Sequence, residues 1–225
     1  MVEPHYALFA VADGLGGHHA GEKASQYFCE GLLSHASRYA KHIPEDPVDV
    51  FAAWVDEAVN QMQHLFLGDP MAVSAHTTCA VLYVDKKLTM TAHCGDSRVY
   101  RIRPSGILWR TRDHSIPQDL LDMGLITEQD LGHHPDQNQL TRSINVNKEH
   151  QVDIQVHDAM TADDLFVLCS DGFWENVKQY EFTQLINSED KKAYLSKLLR
   201  LTIYRAMGKS DNVTVQMVGM AAAKT

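Results

Sequence analysis

The apolar positions of this chain fall in short runs separated by glycine, aspartate and polar turns. Ala7 to Ala12 (ALFAVA) is a continuous apolar run that stops at DGLGG, which predicts a buried strand closed by a glycine turn. From Gly21 the spacing changes, with Ala24, Phe28, Leu32 and Ala36 recurring every fourth position, and Val48 to Phe66 repeats it through Phe51, Trp54, Ala58, Met62 and Leu65. Both stretches predict amphipathic helices. CAVLYV and LTMTAHC, joined at Asp85 to Lys87, predict a hairpin, and VYRIR and ILWR predict two further strands. Strand character returns at Val152 to Val156 and Asp164 to Ser170. Lys191 to Met207, with Leu195, Leu198, Leu199, Ile203 and Ala206, predicts a long helix, and VTVQMV closes the chain as a strand.

Asp113 to Asn147 is different in kind: polar, with several histidines and a short helical piece at Gln118 to Met123. It reads as a flap subdomain on the surface. Strands and helices come in blocks with hairpins among the strands. That favours an α+β fold of antiparallel sheet covered by helices over a doubly wound parallel sheet. No repeat or linker divides residues 1–225, so a single domain is expected.

At 225 residues and 44% hydrophobic content the chain can bury a full core. A formal net charge of -9 argues against nucleic acid, whose binding rests on clustered Lys and Arg, and fits a cation partner better. Cys29, Cys79, Cys94 and Cys169 lack paired C-x-x-C spacing and three sit in apolar stretches, so reduced thiols and a cytoplasmic address are expected. No apolar stretch approaches the length of a membrane span, and no export signal is visible at the start.

The candidate chemistry lies in aspartates at strand ends beside small residues: Asp13 in VADGLGG, Asp96 in CGDSRVY, Asp171 in LCSDGFWE and Asp211 in KSDNVTV. One such aspartate is ordinarily a turn residue bonding its own backbone. Several carboxylates converging from rigid strand ends repel one another unless cations neutralise them, and all-oxygen surroundings favour magnesium or manganese over zinc.

LFAVADGLGGHHAGEKAS, TTCAVLYVDKKLTMTAHCGDSRVYRIR, DHSIPQDLLDMGLITEQD, HHPDQNQLTRSI, LFVLCSDGFWENV and SDNVTVQMV resemble, in order and spacing, the successive motifs of the bacterial metal-dependent protein phosphatases of the type 2C (PPM) class. The resemblance runs from about Ala7 to Val218. It implies two antiparallel sheets in a sandwich flanked by helices, with two Mn2+ or Mg2+ ions at one end and a third bound weakly. By position, Asp13 would bridge two metals, the Gly14 carbonyl would join one of them, and Asp171 and Asp211 would hold the other. Asp96 would bind the third with Asp171. The implied reaction is hydrolysis of phosphoserine or phosphothreonine in proteins by metal-activated water, in opposition to a serine/threonine kinase, by a monomer. Many members have a histidine directly after the Asp-Gly pair; Leu15 stands there, leaving His18 or a metal-bound water as the candidate proton donor to the leaving group.

Members of that class also carry an Arg-x-x-Asn-Glu-Asp segment upstream of LFAVADG, whereas this chain begins MVEPHYALF. The expectation is a metal short of one ligand and a phosphate short of its arginine, with Glu3 too far from Asp13 to compensate. The alternative reading is a weakened or inactive phosphatase-fold module that binds phosphoproteins or a regulatory partner. Cysteine-based phosphatase chemistry is excluded, because no cysteine is followed by arginine at C-x5-R spacing. GLGGHHAGEK lacks the lysine and hydroxyl residue of a nucleotide loop, and the pairs His18–His19 and His133–His134 lack zinc spacing. His114 and Arg142 are expected at the flap, facing the cleft, with Arg142 closing it through a salt bridge.

Overall fold

The computed structural model describes residues 1–15, 18–145, 147–207 and 212–220, with His18 described by its backbone alone. The chain enters through β1 (Tyr6–Val11), makes the short β2 (Gly14–Leu15), then runs through α1 (His18–Tyr39) and α2 (Pro47–Leu65). β3 (His76–Thr77) leads into β4 (Cys79–Asp85), β5 (Leu88–Cys94), β6 (Arg98–Arg103) and β7 (Gly106–Arg110). The flap contributes α3 (Ile116–Asp122), a 3-10 turn at Glu128–His133 and β8 (Ile144–Asn145). β9 (Asp153–Asp158), β10 (Leu165–Cys169), α4 (Asp171–Trp174), α5 (Gln179–Asn187), α6 (Lys191–Arg205) and β11 (Val215–Gly219) follow.

Two antiparallel four-stranded sheets form, in the orders β1-β4-β5-β9 and β11-β10-β6-β7. Side chains alternate across each strand. From β4, Cys79, Val81 and Tyr83 face α1 and α2, packing with Phe28, Leu32, Phe51, Trp54 and Met62. Ala80 and Leu82 face the other way and meet Val99, Phe166 and Leu168 of the second sheet. From β10, Val167 and Cys169 turn outward to Phe182, Leu185 and Leu198 of α5 and α6. The result is helices, sheet, sheet, helices, the expected α+β sandwich. Each fully buried large apolar side chain contributes roughly 1.5–3 kcal/mol relative to exposure. The indole of Trp54 also donates to the Leu32 carbonyl at 2.9 Å, tying α2 to α1.

Caps set several helix starts. Asp46 accepts from the Asp49 N–H ahead of Pro47, and Asp190 accepts from Ala193 N–H at 2.9 Å. Ser115 accepts from Gln118 N–H, so α3 begins at Ile116, earlier than the helical pattern predicts. β9 runs through the polar sequence DIQVHD to Asp158 because its backbone pairs with β5, Leu88 opposite Asp158 and His93 opposite Asp153. α5 has no counterpart in the sequence reading. Among the described residues no helix is long and apolar enough to cross a membrane.

Ion pairs hold the flap to the second sheet. Arg110 meets Glu128 at 2.6 Å, Arg112 reaches Asp119 and Asp122, and Arg98 grips Asp113. Leu131 of the flap is buried in the cluster beneath α5 and α6.

Candidate metal centre

The strand ends of the sandwich bring Asp13, Asp96 and Asp171 to one place. Asp13 follows β1. Its N–H donates to Thr78 Oγ1 at 3.0 Å, and its carbonyl accepts from Thr78 N–H at 2.8 Å and from Thr77 Oγ1 at 3.0 Å. The threonine pair before β4 thus fixes the Asp13 backbone. At Gly14, an added Cβ would lie 2.1 Å from the Gly21 carbonyl oxygen, so only glycine lets β2 pass this close to α1.

Asp96 lies in the turn between β5 and β6. Its carbonyl accepts the Trp174 indole N–H at 2.9 Å, and its neighbour Ser97 shares a 2.7 Å hydroxyl hydrogen bond with Thr78. The Trp174 ring lies 3.4 Å from the Arg98 guanidinium carbon, so a cation stacks behind the turn. Asp171 starts α4, and its Oδ1 accepts from Gly172 N–H at 2.6 Å. Ser170 and Thr214 exchange hydrogen bonds at 3.1 Å, and Ser170 Oγ donates to the Asn212 carbonyl at 3.3 Å. The segment leading into β11 therefore runs beside Asp171.

Asp96 is 7% exposed. Burial, and then the negative charges of Asp171, Asp113 and Asp13, hold its carboxyl well above the usual carboxylate range. A buried carboxylate facing other carboxylates is an arrangement that a hard divalent cation relieves. Asp211 lies outside the described residues. His18 opens α1, but its side chain lies outside the described residues. Glu3 donates its N–H to the Tyr6 carbonyl at 2.9 Å, at the far end of β1. Six strand residues at about 3.3 Å each separate it from the Asp13 end.

Thr77, Thr78, Ser97 and Trp174, which hold the aspartate-bearing turns, lie inside the matching motifs but carry no role that the sequence pattern assigns; the TT pair abutting CAVLYV is the available signal. His114 corrects an expectation: it does not face the cleft. Its side chain is buried, stacked on His93 with ring centroids 4.9 Å apart and planes within 9°. Its Nε2 lies 3.2 Å from Asp153 Oδ2. Arg142 pairs with Asp153 at 2.9 Å, the salt bridge expected of it.

His93, His114 and Asp153 place potential ligand atoms within 4.8 Å of one another. Imidazole lone pairs lie in the ring plane, and two near-parallel rings do not aim them at one point. The Arg142 guanidinium already supplies the positive charge beside Asp153. The cluster is a polar clamp rather than a second ion site. The cysteines are free, and burial pushes the Cys94 thiol up to about 12, so it is inert as a nucleophile.

Residues 1–203 match the description "Protein phosphatase 2C". The chain belongs to the protein phosphatase 2C family. It is 31% identical over 214 residues to the serine/threonine phosphatase stp of Listeria welshimeri, covering 94% of this chain and 83% of that one. The serine/threonine phosphatase of S. agalactiae shares the fold with a TM-score of 0.81 at 26% identity, over 96% of this chain and 88% of that one. The catalytic domain of the phosphatase PstP, solved in complex with 2 manganese ions, has a TM-score of 0.73 at 23% identity, over 96% and 92%. The family and these phosphatase relatives make this chain a metal-dependent protein serine/threonine phosphatase acting on phosphoproteins. They do not favour the reading as an inactive phosphatase-fold module.

Proposed function

We propose that Asp13, Asp96 and Asp171, completed by Asp211 and the Gly14 carbonyl, hold the phosphatase's Mn2+ or Mg2+ ions, two firmly and a third weakly. The observation that carries this reading is the burial of Asp96 against the charges of Asp171, Asp113 and Asp13, a donor set of hard oxygens only. Divalent cations there supply an acidified water and neutralise charge on the phosphoryl oxygens, the chemistry of direct hydrolysis without a phosphoenzyme.

The chain's own residues do the rest. Thr77 and Thr78 hold Asp13 in register with β4, and Trp174 and Ser97 hold the Asp96 turn. His18 is the proposed proton donor to the departing serine or threonine oxygen. The flap between Asp113 and Asn147 shapes the approach of the phosphoprotein, in opposition to a serine/threonine kinase. The protein works as a cytoplasmic monomer of one domain.

Hydrolysis of a phosphothreonine peptide, measured with chelator and then with added Mn2+, tests this reading. Turnover is absent with chelator, returns with Mn2+, and falls by roughly 100-fold or more in Asp171→Ala, as several kcal/mol of electrostatic stabilisation is lost. Equal turnover with and without chelator, or in the variant, contradicts it.

A further inference from the structure

His114 and Gly95 hold each other by two hydrogen bonds. The His114 N–H donates to the Gly95 carbonyl at 2.9 Å, and the Gly95 N–H donates to His114 Nδ1 at 3.2 Å. Gly95 immediately precedes Asp96. It adopts φ +94, and an added Cβ would fall 2.7 Å from Thr78 Cγ2, so the turn is pressed against the residue that fixes Asp13. His114 stands behind that turn.

The ring is locked in one tautomer. Because Nδ1 accepts from Gly95, the ring proton sits on Nε2 and donates to Asp153. Asp153 is held in turn by Arg142 at 2.9 Å, and His93 covers the ring face. The His114 carbonyl accepts from Thr141 N–H at 2.9 Å, so the returning end of the flap is tied to the same residue. The links run from Asp153 through His114 and Gly95 to the Asp96 turn.

We propose that His114 is a positioning residue of the metal centre: as a fixed neutral acceptor for the Gly95 N–H it holds the Asp96 carboxylate where a divalent cation needs it, and joins that position to the root of the flap. This rests on the reading of Asp96 as a metal ligand. Groups hydrogen-bonded directly to a metal ligand typically change metal affinity about 10–100-fold when removed; His114 acts through the backbone of the residue before Asp96, so a change at the lower end of that range is expected.

Two amides separate the parts of the ring. In His114→Asn the amide oxygen stands where Nδ1 stood and keeps the Gly95 bond; in His114→Gln the amide reaches Asp153 and leaves the Gly95 N–H without its acceptor. Mn2+ binding is measured calorimetrically on the metal-free full chain, beside the Mn2+ dependence of phosphopeptide hydrolysis. The expected result is Mn2+ affinity lowered about tenfold or more in His114→Gln, falling more heavily on the Mn2+ required than on the rate at saturation, with His114→Asn much closer to the parent. Asp153→Ala, at a partly exposed position, releases the tautomer and gives a smaller loss in the same direction even if His114→Gln fails to fold. Parental Mn2+ affinity in Asp153→Ala or in folded His114→Gln, or equal losses in the two amide variants, overturns the proposal. A parent chain that binds no Mn2+ overturns the metal-centre reading and this inference with it.

Discussion

Asp113 grips the guanidinium of Arg98 with both carboxylate oxygens, Oδ1 accepting from Nε at 2.7 Å and Oδ2 from Nη2, and both side chains are at most 4% exposed. The pair stands where β6 meets the first residue of the flap, and Arg98 also stacks on Trp174, the residue that holds the Asp96 carbonyl. Removing one partner leaves a buried charge uncompensated. Asp113→Ala therefore lowers stability by about 3–5 kcal/mol in urea unfolding, while the double variant with Arg98→Met recovers part of the loss. Equal losses in the single and double variants contradict this account of the pair.

Asp96 works against the stability of the metal-free protein. Its carboxyl is buried beside three other aspartates, so Asp96→Asn relieves repulsion. The variant melts higher than the parent in chelator, by about 2–4 °C for each kcal/mol relieved, and gains less from added Mn2+. A variant that melts lower in chelator would mean that the carboxylate is structural.

Gly14 has no room for a side chain, its Cβ position being 2.1 Å from the Gly21 oxygen. Gly14→Ala must push β2 away from α1 next to Asp13. Circular dichroism melts are expected to show a loss of about 1–3 kcal/mol together with a loss of Mn2+-dependent turnover. An alanine variant with parental melting and turnover would show that the close approach is dispensable.

The clamp behind the centre gives the fold an acid limit. Burial lowers the pKa of His93 against opposing contributions from the Arg112 carbonyl, Asp153 and Asp113; burial and then His93 lower that of His114, with Arg142 acting the same way on both. The unfolded chain takes up these protons near pH ~6.5 while the folded protein resists them, so stability is fully present above that pH and declines as pH falls through it toward the folded values. Asp164 behaves differently. Burial opposes its ionisation, but hydrogen bonds from Arg101, Arg103 and Thr161 prevail and hold its carboxyl far below the usual range. Its contribution persists until pH falls below about 4. Urea midpoints should therefore begin to drop as pH falls below about 6.5, ahead of the loss from Asp164, and that first drop should shrink in His93→Phe. An unchanged drop in the variant would place the acid sensitivity elsewhere.

The sandwich was legible where burial is one-sided or complete. CAVLYV and LFVLC announce themselves because both of their faces meet apolar neighbours, and α1 and α2 do so because one stripe faces a sheet. β2, β3 and β8 are two residues each, too short for any period to register. α5 was missed because QYEFTQLIN buries only Glu181, Phe182 and Leu185 among polar residues. The aspartates were legible as strand-end carboxylates. Their supports were not, because a threonine or tryptophan that bonds a distant backbone carries no local pattern. His114 looked like a cleft residue because polar flap sequence reads as exposed; its partners Gly95 and Asp153 lie 19 and 39 positions away.

Anomalous diffraction at the manganese edge, from crystals soaked in Mn2+, tests the aspartate metal centre most directly. Peaks are expected within coordinating distance of the Asp13 and Asp171 carboxylates, with a weaker one at Asp96 that disappears in Asp96→Asn. Crystals soaked at saturating Mn2+ with no peak among these aspartates, or with the only peak at His93, His114 and Asp153, would contradict it.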